Sequence, residues 1–206
     1  EGNFESAYKK YVWKKNNMKK ESVDNKMVDE FIEKLKIPLE IRDYQKNAFM
    51  HTLEKGRCLL LSPTASGKSL ITYLTVRFNL LRLKEEKNNK ILIIVPTTSL
   101  VEQLYKDFND YGYDSLKNVH KIYQGHHKDT TKRVVISTWQ SIYQMPKSWF
   151  KQFGATIVDE CHHIGAEVFS RALFKVLTKY TLGLSATMRR KDGLTKVIKM
   201  FLGNLT

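Results

Sequence analysis

Ser62-Pro63-Thr64-Ala65-Ser66-Gly67-Lys68-Ser69, SPTASGKS in one-letter code, departs by one letter from the phosphate-binding pattern GxxxxGK[ST]: serine stands where the first glycine is usual. Before it runs RCLLLS (57–62), short and apolar, and after it KSLITYLTVRFNLLRL (68–83), apolar at helical spacing. A strand–loop–helix passage of this kind aims the backbone N–H groups of the helix start at a phosphate chain. Lys68 can reach the β- and γ-phosphates of a nucleotide, and the Ser69 hydroxyl can ligate Mg²⁺. Ser62 is small enough for the loop still to curl. Ser62, Pro63, Thr64, Ala65, Ser66, Gly67, Lys68 and Ser69 are therefore the expected nucleotide cradle.

Outward from this loop the chain alternates. RDYQKNAFMHTLEKG (42–56) reads as a helix ended by Gly56. KILIIVP (90–96) is a second strand, and the helical TSLVEQLYKDFNDYG (98–112) follows it. RVVIST (133–138), ATIVDE (155–160) and YTLGLSAT (180–187) read as further short strands. Near-continuous apolar strands alternating with helices predict an α/β fold, a parallel sheet covered by helices on both faces. Ligands bind such sheets beyond the carboxyl ends of the strands. SPTASGKS, PTTS, STWQS, DECHH and SAT each follow a strand directly, so all should lie along one edge.

Residues 1–37 are set apart from 38–206 by composition. YKKYVWKKNNMKKE mixes paired lysines with Tyr8, Tyr11 and Trp13. SVDNKMVDEFIEKLKI then reads as a helix capped by Ser22 or Asp24, with Val28, Phe31, Ile32 and Leu35 on one face and Pro38 closing it. The segment reads as the tail of an upstream domain with solvated lysines, or as a nucleic-acid arm. The chain does not start with Met, and it is read as a piece of a longer protein.

The balance of 35 Lys and Arg against 21 Asp and Glu, a formal charge of +14, attracts polyanions, nucleic acid above all. No apolar run approaches the roughly 20 residues of a membrane span, and no secretory signal opens the chain. Cys58 and Cys161 lie far apart, outside any CxxC, which suits a reducing, cytoplasmic setting and argues against a disulfide framework or zinc site. The pairs His126-His127 and His162-His163 lack the flanking spacing of a metal site.

Val158-Asp159-Glu160-Cys161-His162 closes the fourth strand. An Asp at such a strand end supplies the second Mg²⁺ contact in ATPases with a phosphate loop. Glu160 beside it is placed to orient or deprotonate an attacking water. DECH is an instance of the D-E-x-H box, and together with SPTASGKS and LSAT it resembles the superfamily-2 helicases and translocases over about residues 39–206. The resemblance implies a RecA-like first lobe of the P-loop NTPase class with a small N-terminal appendage.

Carried over residue by residue, the resemblance gives Gln45, in Arg42-Asp43-Tyr44-Gln45, to adenine recognition. It gives Lys68, Asp159, Glu160 and His162 to catalysis, and Ser69 and Asp159 to Mg²⁺. Thr97 and Thr98 in Pro96-Thr97-Thr98-Ser99, Gly125 after Gln124, and Thr138 in Ser137-Thr138-Trp139-Gln140-Ser141 fall to the nucleic-acid backbone. Ser185 and Thr187 in Ser185-Ala186-Thr187 couple nucleotide state to nucleic-acid binding, with His162 beside them.

STWQS, DECHHI and GLSATMRRKDG are most similar to the branch holding type III restriction motors and the repair helicases of transcription-factor complexes. Phage helicases of this kind imply a monomeric ATP- and Mg²⁺-dependent motor on branched or single-stranded DNA and RNA–DNA hybrids. It would hold them through the backbone and act on branched DNA and R-loops in recombination, repair and replication. In that family the arginines facing the γ-phosphate come from a second lobe, which these 206 residues do not include. Two other readings stand beside it: a duplex translocase that separates no strands, and a nucleotide-binding interaction module without turnover. Retention of both Lys68 and Glu160 argues against the module.

Overall fold

The computed structural model describes residues 23–62, 67–161, 175–176 and 178–186. In chain order these form α1 (Asn25–Leu35), α2 (Asp43–Lys55), β1 (Arg57–Leu61), α3 (Lys68–Arg82), β2 (Lys90–Val95), α4 (Thr98–Asp110) and α5 (Ser115–Asn118). β3 (Val119–Ile122), β4 (Val134–Thr138), α6 (Trp139–Ile142), α7 (Lys147–Phe150), β5 (Phe153–Val158) and β6 (Tyr180–Ser185) complete them. The strands build one six-stranded sheet in the order β1-β6-β5-β2-β4-β3. Every pairing is parallel.

Alternate residues of each strand supply two cores, as the two-residue period of a strand demands. Cys58, Leu60, Ile91, Ile93, Val95, Val134, Ile136, Ala155, Ile157, Leu182 and Leu184 face α1 to α4. Leu59, Leu92, Ile94, Val135 and Val158 face the other way, toward Trp139, Ile142, Trp149 and Phe150 of α6 and α7. Burial on both faces explains why β2 and β5 read as unbroken apolar runs. The chain steps from β1 to β2 and on to β3 in one direction, then returns through β4, β5 and β6. With right-handed crossovers this reversal sends the connections after β1 and β2 to one face and those after β4 to the other. In open sheets of this kind the ligand crevice lies at the carboxyl edge where the connections part.

Two local expectations change. The sheet has a strand, β3, that the sequence pattern did not disclose: VHKI is four residues long, lies at the sheet edge, and buries only its two ends, Val119 and Ile122, with His120 and Lys121 half-buried between them. The helix over 25–35 starts at Asp24, whose carboxylate accepts from Met27 N at 2.7 Å, and so the cap is Asp24 rather than Ser22. It ends before Pro38 is reached, because Lys36 turns left-handed (φ 50°) and returns its N–H to Glu33 O. α1 lies inside the stretch that composition sets apart, yet Val28 and Phe31 belong to the main core. The Phe31 ring stacks on Phe49 (centroids 5.8 Å) and meets Phe78 edge-on (5.3 Å).

Candidate functional site

Register aligns the strand ends. Leu61 pairs with Ser185, Val158 with Gly183 and Ile94, and Val95 with Thr138. Just beyond them Ser62 N donates to Ser185 O and Asp159 N to Ile94 O, both at 2.9 Å, so the ladder holds the first residue of each following loop. The motif residues Ser62, Thr138, Asp159 and Ser185 thus share one edge. Pro63, Thr64, Ala65, Ser66, His162 and Thr187 lie outside the described residues.

Gly67 caps α3 in the left-handed region (φ 74°), and its carbonyl accepts from Leu70 N at 3.0 Å. A Cβ there would be strained and would also collide with the side-chain amide of Gln45. Gln45 is held in that place by its own helix: its Oε1 accepts from Arg42 N at 3.1 Å, closing a capping box on α2. The adenine candidate therefore lies directly against the end of the phosphate loop.

Lys68 is the first residue of α3, and its ammonium forms an ion pair with the Glu160 carboxylate. The two side chains are only 11% and 18% exposed. Glu160 sits at φ 47°, a left-handed conformation costly for a residue with a Cβ, typically about 1–3 kcal/mol. Its N–H donates to Asp159 Oδ1 at 2.8 Å. This turn lets the Glu160 carboxylate reach the Lys68 ammonium at the start of α3. Burial raises the Asp159 pKa, opposed by the nearby Lys68 charge and reinforced by Glu160. Behind them the Cys161 thiol is fully buried, its pKa pushed up to about 12 by burial and tempered by a hydrogen bond with Ser185. Cys161 is thus an inert packing residue that ties the DECH turn to the end of β6.

The donor set suits Mg²⁺. Ser69 offers a hydroxyl and Asp159 a carboxylate, hard oxygen ligands for an ion that takes few protein ligands and completes its shell with phosphate and water. Among the described residues no three or more His, Cys, Asp or Glu side chains cluster as a metal site. Sequence reasoning missed Tyr111, whose hydroxyl lies 2.7 Å from Ser69 Oγ. No motif spacing announces that contact.

The nucleic-acid candidates divide. Thr97 and Thr98 are exposed at the N-terminus of α4, where the Thr97 hydroxyl caps the helix by accepting from Leu100 N at 3.3 Å. Gly125 is exposed in the loop after β3, with φ 83°. Thr138 is buried, its hydroxyl 2.8 Å from Ser141 Oγ. Glu102 of α4 gathers the Lys121 ammonium at 2.9 Å and the Tyr123 hydroxyl, and so ties the Gly125 loop to the helix that begins at Thr98.

Residues 38–190 match the model of a family described as "Type III restriction enzyme, res subunit". The chain is 37% identical over 190 residues to the ATP-dependent DNA helicase uvsW of Enterobacteria phage T4, covering 87% of this chain and 37% of that protein. It is 28% identical over 169 residues to the DNA 3'-5' translocase XPB2 of Sulfurisphaera tokodaii, covering 82% of this chain and 36% of that one. The crystal structure of the UvsW helicase from bacteriophage T4 superposes with a TM-score of 0.81 at 34% identity, over 91% of this chain and 69% of that one. The chain spans little more than a third of the length of the two curated relatives. With its RecA-like sheet and with Glu160 of the DECH motif paired to Lys68, the chain belongs to the family of the type III restriction enzyme res subunit, within the superfamily-2 DExH-box helicases.

Proposed function

We propose that this chain is the N-terminal motor lobe of an ATP-dependent DNA helicase that acts on branched DNA and R-loops in recombination, repair and replication. The observation that carries the reading is the convergence of Lys68, at the start of α3, with Asp159 and Glu160, beyond the end of β5. That arrangement offers a cation to the β- and γ-phosphates and a carboxylate to an attacking water. Residues 62–69 and Gln45 would hold ATP. Ser69 and Asp159 would hold Mg²⁺, which when bound neutralises charge on the phosphates.

DNA is the proposed partner, single-stranded or branched and RNA–DNA hybrids included, held by a monomer in the cytoplasm. Exposed Thr97, Thr98 and Gly125 support backbone contacts, which position a strand without reading its sequence. The formal charge of +14 supplies the attraction. Binding of forked DNA by the 206-residue chain, followed by fluorescence anisotropy, should weaken with salt at a log–log slope of about −3 to −5, as a handful of phosphate contacts requires. Thr98→Ala should weaken it without changing base preference. A flat salt response would remove nucleic acid from the proposal.

Translocation along duplex DNA without strand separation is the second reading, favoured by the likeness to a protein named a DNA 3'-5' translocase. A strand-displacement assay on the full-length protein distinguishes them, since a pure translocase leaves labelled strands annealed.

A further inference from the structure

Tyr111 is buried at the C-terminal end of α4, and its ring packs against Tyr73 of α3 with centroids 5.2 Å apart. Packing alone does not require a hydroxyl there. The Tyr111 oxygen nevertheless lies 2.7 Å from Ser69 Oγ, one residue along from Lys68. A serine hydroxyl has one proton to give and two lone pairs. When Oγ lends a lone pair to a divalent cation its proton becomes a stronger donor and needs an acceptor directed away from the metal. The Tyr111 hydroxyl oxygen carries lone pairs of its own and lies within hydrogen-bond distance to accept that proton.

We propose that Tyr111 is a positioning residue for the nucleotide-bound Mg²⁺: it accepts the Ser69 hydroxyl proton and so turns a Ser69 lone pair toward the metal. The inference rests on the assignment of Ser69 as a metal ligand. Partners that orient a ligand in this way typically contribute about 10- to 100-fold to metal affinity.

The test is the affinity of the 206-residue chain for a fluorescent ADP derivative, measured in EDTA and in Mg²⁺. Tyr111→Phe keeps the ring and removes only the oxygen. It should bind the probe in EDTA like the parent chain, while the tightening produced by Mg²⁺ shrinks about tenfold. Full tightening by Mg²⁺ in Tyr111→Phe would overturn the proposal, and so would equal weakening with and without the metal, which would mean packing alone. Ser69→Ala reports separately on the underlying assignment. If it retains the Mg²⁺ effect, Ser69 is no ligand, whatever Tyr111 does.

Should Tyr111→Phe fail to fold, 3-fluorotyrosine placed at position 111 of the parent chain gives a ¹⁹F signal. That signal should move when Mg²⁺ joins bound ADP, and should not move in Ser69→Ala. A signal indifferent to Mg²⁺ in the parent chain would sink the idea.

Discussion

Lys68 and Glu160, 92 residues apart in sequence, form a mostly buried ion pair across the crevice between the start of α3 and the end of β5. In the proposed motor each would serve a different partner: Lys68 the phosphates, Glu160 a water. In the structure they neutralise each other. Incoming phosphate oxygens must draw Lys68 away, and this would release Glu160 for its own work. In the proposed motor the pair would thus link occupancy of the loop to the freedom of the carboxylate.

Removing either partner should have opposite effects on binding. Lys68→Ala should abolish measurable ATP affinity, and it should also destabilise the chain by about 1–3 kcal/mol, because a mostly buried ion pair loses one of its members. For a chain of this size that is a fall in Tm of about 2–4 °C per kcal/mol. Glu160→Gln should bind ATP at least as tightly as the parent chain, since Lys68 is released, yet support no turnover in the full-length motor. The double variant should recover the melting midpoint but not the binding. Equal ATP affinity for Lys68→Ala and the parent chain would refute the phosphate-loop assignment.

Phe31 tests whether α1 is structurally part of the lobe. Its ring is nearly buried against Phe49 and Phe78, so Phe31→Ala should cost about 3–5 kcal/mol in urea unfolding. A loss below 1 kcal/mol, of the size expected at a surface position, would mean that α1 docks only loosely.

How much of this was legible beforehand depended on how local the cause was. β2 and β5 announced themselves because both their faces are buried, and the Ser62–Ser69 loop because a strand and a helix flank it. β3 stayed hidden because an edge strand of four residues has no need of a continuous apolar run. Val28 and Phe31 were readable as one face of a helix, but nothing in that face says which surface it covers. The types and order of Lys68 and Glu160 were visible, whereas their mutual neutralisation was not, since it depends on the left-handed turn at Glu160. Tyr111 was invisible for the same reason: its contact with Ser69 spans 42 residues and is set by how α3 and α4 pack.

Cys58 gives stability an alkaline limb. Burial in β1 pushes its thiol up to about 11, partly offset by the Thr52 hydroxyl and the Lys55 charge. A cysteine in the unfolded chain ionises near pH 8.5, at about the reference value. The native state therefore holds the thiol proton longer than the unfolded state does. Its contribution is complete below about pH 8.5 and is lost as pH rises toward the native value, at up to about 1.4 kcal/mol per pH unit. Cys58→Ala should flatten that decline in urea midpoints measured from pH 8 to 11. Identical pH profiles for the two chains would show that the thiol ionises as readily folded as unfolded.

The final prediction concerns turnover by the 206 residues alone. An arginine acting on the γ-phosphate from outside the loop is worth about 10³ to 10⁵ in rate, and the resemblance to superfamily-2 helicases implies that it comes from a second lobe. Arg189 and Arg190, the cations next to Ser185-Ala186-Thr187, lie outside the described residues. On the proposed reading Lys68, Asp159 and Glu160 would bind ATP and aim a water, but Lys68 is the only cation among these three. Steady-state phosphate release by this chain should therefore sit close to background. Forked DNA should not raise it, because DNA would stimulate by closing two lobes on one nucleotide. Appending the remainder of the full-length protein should restore DNA-dependent turnover, and Glu160→Gln should abolish it again. DNA-stimulated release by the 206-residue chain at about 1 s⁻¹ or faster, the low end of ordinary enzyme rates, would overturn this. The missing cation would then have to lie within the chain itself, with Arg189 and Arg190 the first to replace by alanine.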